Sequence, residues 1–313
     1  MGERVSPLYP MGTAGGAVYR ERSMETQKRK AVRIRPKAAS RTGQPSRVVV
    51  FTAIDGTLLD ARTFEPGRVR AAIARLAEAG IPVVPVTIMT LDEIAPLATE
   101  LGLGPAMIVE AGGAIARRRG ETWEVEPCGP PAETLLDVIR DIEERSGANL
   151  LIYSALPESD AARLSGRSGA MLHASTHRCF SEPFVLETGE LEAVSRAAAE
   201  IGFSVRRGRR FLHLCRECDQ GEAFARLREE LGCEVAIGVG GAAVDLEFLA
   251  RTDVAILIPG PAGEVDAELA AQLPHARIAS APAPDGWAAA VDEALRGLKP
   301  AAAASARSTS ANN

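Results

Sequence analysis

Lysine is missing from the middle of this sequence. The four lysines are Lys28, Lys30, Lys37 and Lys299, so no residue between 38 and 298 carries an ammonium side chain. Positive charge in that stretch comes from arginine, whose planar fork does not replace a point charge in a fitted pocket. Long apolar runs are missing too. Nothing approaches the roughly 18 uninterrupted apolar residues of a membrane span, and the N-terminus has no apolar block of the secretory kind. No membrane partner is expected, and the cytoplasm is the expected compartment. Cysteine is sparse and odd in number: Cys128, Cys179, Cys215, Cys218 and Cys233 lack the even, dense spacing of a disulfide scaffold and read as reduced thiols. Cys215 and Cys218 form one C-x-x-C, which without a second pair reads as strand-end packing rather than zinc ligation.

What is present is ordinary for a globular chain: 313 residues, 46% apolar and 25% charged, enough for one large domain or two modest ones. The net charge of -5 hides an asymmetry. Residues 1–47 hold eleven Lys and Arg against three Glu, a net of +8, which leaves -13 for the remainder. Residues 1–46 are expected to be a disordered basic arm, and the Ala/Ser-rich residues 299–313 a disordered tail. The arm's charge would suit an anionic partner, but a dispensable tail is the simpler reading, and nucleic acid is not expected to bind.

Between the tails, short apolar runs alternate with amphipathic segments, the pattern of a parallel sheet covered by helices. Val48 to Phe51, Val83 to Thr87, Ala106 to Val109, Val235 to Gly238 and Val254 to Ile258 read as buried strands. Helices are expected around Val69 to Leu76 with Gly80 ending the first, over Leu91 to Leu101, Gly221 to Leu231 and Leu246 to Ala250. From about residue 117 the rhythm changes: helix Ala132 to Arg145, strand Leu150 to Tyr153, short helices, strand Phe184 to Glu187 and a helix near Leu191 to Ile201. The expected fold is α/β, an open Rossmann-like parallel sheet over 47–116 and 206–298, interrupted by an inserted α+β module over 117–205.

In such sheets ligands gather beyond the carboxyl ends of the strands. Four segments there carry the chemistry, beginning with Phe51-Thr52-Ala53-Ile54-Asp55-Gly56-Thr57-Leu58-Leu59 and Val86-Thr87-Ile88-Met89-Thr90. The third is Arg209-Arg210-Phe211-Leu212-His213-Leu214 followed by Cys218-Asp219-Gln220-Gly221-Glu222-Ala223, and the fourth Gly238-Val239-Gly240-Gly241-Ala242-Ala243-Val244-Asp245-Leu246. Gly238 to Gly241 lacks both G-x-G-x-x-G spacing and a following Lys-Ser/Thr, so it is no dinucleotide or P-loop signature.

The first segment resembles the haloacid dehalogenase signature D-x-D-G-T-L-L with alanine at its first aspartate. Arg178-Cys179-Phe180-Ser181-Glu182-Pro183-Phe184 and Ile108-Val109-Glu110-Ala111-Gly112-Gly113 resemble the R-E-x-S-E-P-F and I-V-E-N-G-x segments of mannosyl-3-phosphoglycerate phosphatases. The likeness covers about residues 48 to 262. It implies that Ala53 stands at the nucleophile position, where an aspartate would attack phosphorus and ligate magnesium, and Asp55 at the acid/base position. It puts Thr87 at the phosphate-binding position and Gln220 where a lysine would neutralise charge. Asp245 is the one acid left of a magnesium pair whose other member is Gly241. It implies sugar-glycerate contacts for Arg178, Ser181 and Glu182 in the inserted cap. Capping and turn roles for Asp55 and Thr57, and packing roles for the cap segment, stand beside these readings.

The reaction implied by the resemblance is magnesium-assisted hydrolysis of a phosphomonoester. Enzymes lower that barrier by about 20 kcal/mol or more, through nucleophile, metal and charge neutralisation acting as a unit. The expectation is a pseudophosphatase with no functional cofactor, retaining a phosphorylated sugar acid or a protein as partner. The alternative is an active Mg2+-dependent hydrolase in which Asp55, Asp60 or Asp245 has a new role.

Overall fold

Apolar, β-branched residues dictate a strand buried on both faces, and β1 (Val48–Thr52) is that strand in the computed structural model, which describes residues 48–216 and 219–308. The basic arm expected over 1–46 lies outside the described residues. After β1 come α1 (Val69–Glu78), β2 (Val83–Pro85), α2 (Leu91–Leu101) and β3 (Ala106–Val109), then β4 (Ala114–Arg119) and β5 (Thr122–Pro127). The insertion supplies α3 (Ala132–Ser146), β6 (Asn149–Ile152), α4 (Glu158–Ser165), α5 (Gly169–Thr176), β7 (Pro183–Thr188), α6 (Leu191–Glu200), β8 (Phe203–Arg207) and β9 (Leu212–Arg216). The chain continues through α7 (Asp219–Glu230), β10 (Val235–Gly240), α8 (Leu246–Leu249), β11 (Val254–Leu257), α9 (Ala267–Gln272), β12 (Arg277–Ile278) and α10 (Asp285–Ser308).

The core sheet runs β12-β11-β10-β1-β2, every neighbour parallel. The period of two along β1 splits its side chains between two apolar layers. Val50 packs with Ile73, Ile94, Trp287 and Val291, while Val49 and Phe51 pack with Phe224, Leu227 and Phe248. Trp287 is fully buried and its indole N–H donates to Thr52 Oγ1 at 2.9 Å, pinning α10 to the central strand. At the head of α2, Thr90 Oγ1 accepts from the Glu93 N–H while the Glu93 carboxylate accepts from the Thr90 N–H, a capping box that places Glu93 at the sheet's ligand end.

The inserted module is a four-stranded antiparallel sheet, β6-β7-β9-β8, with α3 and α6 packed on it through Leu135, Ile139, Val194 and Ala198. Tyr153, Ala161, Leu172 and Phe211 make a second small cluster beneath α4 and α5.

Sheet membership does not follow the expected boundaries. Residue 206 falls inside β8, and β9 carries the module's sheet to residue 216; residue 117 falls inside β4, which pairs with β3 and β5. β2 is shorter than the apolar run Val83 to Thr87, because Val86 leaves it for an isolated bridge to Ile108. Residues 299–308, expected as a loose tail, continue α10, in keeping with alanine's strong helix preference. Among the described residues no helix is long and apolar enough to cross a membrane.

Candidate active site

The segment after β1 turns sharply, with Gly56 at φ 62°, and brings Ala53, Asp55 and Thr57 to the carboxyl end of the sheet. Ala53 is buried, and its N–H is committed to the Val239 carbonyl at 2.8 Å. Its methyl group can neither attack phosphorus nor bind metal. Asp55 Oδ2 accepts from Arg167 Nη2 at 3.0 Å, so this carboxylate is tied to the module by an arginine 112 residues away in sequence. Thr57 is buried, and its hydroxyl has no hydrogen-bond partner.

Thr87 is buried at the end of the β2 run, and its Oγ1 accepts from the Met89 N–H at 3.1 Å. Gln220 opens α7 and is buried with neither amide atom hydrogen-bonded. Burial of an unpartnered amide is costly, and the position offers no positive charge. Asp245, also buried, accepts at Oδ2 from the N–H groups of Gly241 (2.8 Å) and Ala242 (3.0 Å). Burial pushes its pKa up to about 6, with those two N–H groups and Arg209 opposing. Asp60, another acid near the sheet end, holds a turn through the N–H groups of Arg62 (2.9 Å) and Thr63 (2.8 Å).

The substrate candidates of the module are occupied with one another and with the core. Arg178 donates to Ser181 Oγ at 2.8 Å, to the Ser175 carbonyl at 3.2 Å and to the Ile88 carbonyl. Ser181 Oγ donates to Glu110 Oε2 at 2.9 Å, and Glu182 accepts from Ser154 Oγ at 2.7 Å. Burial raises the Glu182 pKa, opposed by the Ser154 bonds.

Composition and motif reading missed Glu93, Glu110, Arg167 and the part played by Arg209. Glu93 pairs with Arg167 Nε at 2.7 Å and lies 3.8 Å from Arg178 Nη1. Burial raises the Glu93 pKa, while the two arginines pull it down. Glu110 accepts from the N–H groups of Cys179 (3.1 Å) and Phe180 (3.0 Å), latching the core turn onto the module. Gly113 permits that approach: a Cβ there would lie 2.7 Å from the Phe180 carbonyl oxygen. The cavity lined by Glu93, Arg167, Arg178, Tyr153, Phe211 and His213 measures about 20 Å³. It is the size of a water site, against some 300 Å³ or more for a typical ligand pocket.

A magnesium ion wants several oxygen ligands in near-octahedral array. Of the two acids and one nucleophile expected to serve it, only Asp245 is present, and the nearby carbonyls of Asp55 and Gly56 already accept from Arg209, at 3.2 Å from Nε and 2.7 Å from Nη2. A side chain at 241 would collide with Arg209 Nη2. Among the described residues no three His, Cys, Asp or Glu converge as a metal set. The residues present do not fit the ion.

The haloacid dehalogenase-like hydrolase family matches residues 50–161. A glucosyl-3-phosphoglycerate/mannosyl-3-phosphoglycerate phosphatase of Persephonella marina is 27% identical over 230 residues, 68% of this chain and 85% of that protein. A phosphatase of the same description from Methanococcoides burtonii is 26% identical over 258 residues, 76% of this chain and 94% of its own. A sugar phosphatase of haloacid dehalogenase subclass IIB superposes with a TM-score of 0.59 at 15% identity, over 78% of this chain and 98% of that one. A haloacid dehalogenase-like hydrolase from Bacteroides thetaiotaomicron superposes at 0.54 and 20% identity, over 78% and 98%. These likenesses extend across the parallel core and the inserted cap.

Proposed function

We propose that this chain, which belongs to the haloacid dehalogenase superfamily and is of its Cof type, is a phosphatase-like protein that does not hydrolyse phosphomonoesters. Its relatives named for mannosyl-3-phosphoglycerate mark the substrate class to be tested first. The observation that carries the reading is Ala53: a buried methyl group at the position from which phosphorus would be attacked. Gln220 and Gly241 extend it, since no ammonium neutralises a phosphoryl group and no second acid holds a metal there. Losses within such a unit do not add, and one missing member can be enough to abolish turnover.

Asp55, Asp60 and Asp245 are the acids that an active enzyme with rearranged residues would use. Each is already engaged, by Arg167, by the turn N–H groups and by the Gly241 and Ala242 N–H groups respectively. Of the two roles open to a non-hydrolysing protein, holding a phosphorylated sugar acid or contacting a protein, the small cavity between cap and core favours the second.

Purified protein with Mg2+ and mannosyl-3-phosphoglycerate is expected to release no phosphate above the buffer rate, and calorimetry with the same compound to show no binding heat. Chelator-sensitive turnover that disappears in Asp55→Asn would sink the proposal. Heat of binding without turnover would return the sugar acid as the ligand.

A further inference from the structure

We infer that the guanidinium of Arg209 is the resident cation of this cleft, held where a divalent ion would otherwise sit, and that it would keep metal out even with an acid returned to position 53. The inference rests on the non-hydrolysing reading above.

Two consecutive carbonyls, of Asp55 and Gly56, receive Nε and Nη2 of the one guanidinium at 3.2 and 2.7 Å. A planar fork suits such a pair, and it satisfies oxygens that would otherwise need a metal or water. The group is fitted from both sides by absent side chains. A Cβ on Gly56 would lie 2.7 Å from Arg209 Cδ and 2.8 Å from Cζ, and a Cβ on Gly241 would collide with Nη2. The point from which an acid at 241 would extend is also 3.4 Å from Thr57 Oγ1, so the hydroxyl and the guanidinium flank it. Asp245 supplies nearby negative charge, and Arg209 is among the groups that stabilise its ionised form.

Arg209 belongs to the turn between β8 and β9 of the cap, and its contacts lie 153 and 154 residues away in the core. The cation is therefore delivered by the cap. A divalent ion would be held by core acids and lost to a chelator, whereas a covalently tethered guanidinium is not exchangeable.

The test is binding of Mn2+ alone, followed by its electron paramagnetic resonance signal, to the full chain and three variants: Ala53→Asp, Arg209→Ala and the pair together. The unmodified chain and Ala53→Asp are expected to bind no Mn2+ up to about 10 mM, beyond the weak end of protein cation sites. The double variant is expected to bind about tenfold or more tightly than Ala53→Asp, a difference of about 1.4 kcal/mol. Equal behaviour of Ala53→Asp and the double variant, whether both bind or neither does, overturns the inference. Mn2+ binding by the unmodified chain overturns it as well.

Should the double variant not fold, Arg209→Ala alone decides. It should melt below the parent and be restored by guanidinium chloride at about 10 mM, far below denaturing strength, but not by urea at the same concentration. Melting unchanged from the parent, or equal responses to guanidinium and urea, overturns the inference. None of these readouts involves phosphate release, so a failed phosphatase prediction and a failed cation prediction remain distinguishable.

Discussion

The core and the cap have treated charge in opposite ways. At the ends of β1 and β10 and the start of α7, the core places Ala53, Gly241 and Gln220, none of which carries a charge. From the cap side, Arg167, Arg178 and Arg209 project into the same region, and Arg210 donates to the core carbonyl of Ala61. The lesson is that the site has not become neutral. Its positive charge sits at positions that hold two layers together, and the core acids Glu93 and Glu110 face Arg167 and Arg178.

The comparison breaks first at Arg178, which is buried against Glu93, Glu110, Ser181 and the Ile88 carbonyl. Arg178→Ala leaves buried carboxylates short of a partner and is expected to cost about 3–5 kcal/mol, read from the urea midpoint. Arg167→Ala removes the bridge between Asp55 and Glu93 and is expected to cost about 2–3 kcal/mol. Hydrogen exchange should then rise in α4 and α5 while the amides of β1 and β10 stay protected. If exchange in β1 rises equally, the cap and core do not respond as separate layers.

Acidity separates the layers more gently. In the cap, burial lowers the His213 pKa to about 3, with Arg178 adding to the shift. The unfolded chain therefore takes up a proton that the folded one refuses, and stability contributed by His213 above its usual 6.5 is lost as pH falls toward 3. In the core, Asp245 is protonated in the folded state at about 6 against 3.8 when unfolded, so its contribution grows as pH falls across that window. Between pH 7 and about pH 5, His213→Gln should lessen the acid loss of stability and Asp245→Asn should deepen it. The smallest effect is local. Ala111 is held at φ 57° in the core turn that meets the cap, and Ala111→Gly should stabilise by about 0.5–1 kcal/mol, read from the melting temperature.

Much of the core was legible because its strands are continuous apolar runs. Leu91 to Leu101 and Ala106 to Val109 match α2 and β3 end to end, since a Thr-x-x-Glu box opens the one and a four-residue apolar run defines the other. The hairpin of β4 and β5 was missed because Arg117 to Arg119 interrupt any apolar alternation. β8 was obscured because each of its residues stays partly exposed, leaving no buried face to read. In the candidate site, the departures at Ala53, Gln220 and Gly241 could be read residue by residue against a motif. The arginines that fill the space could not, because Arg167 and Arg209 reach partners 112 and 154 residues distant and carry no local signature in an arginine-rich chain.

The fit of Arg209 between Gly56 and Gly241 couples the two sides of the cleft. Placing an acid at 241 while the arginine remains drives the new side chain into the guanidinium and against the Ile258 carbonyl. Removing the arginine first strands two carbonyls that it now satisfies. An acid at 241 and the guanidinium of Arg209 therefore exclude one another, so the two positions are exchanged together or at a cost in stability, and an engineer who wants a carboxylate at that point has to change both residues in one variant.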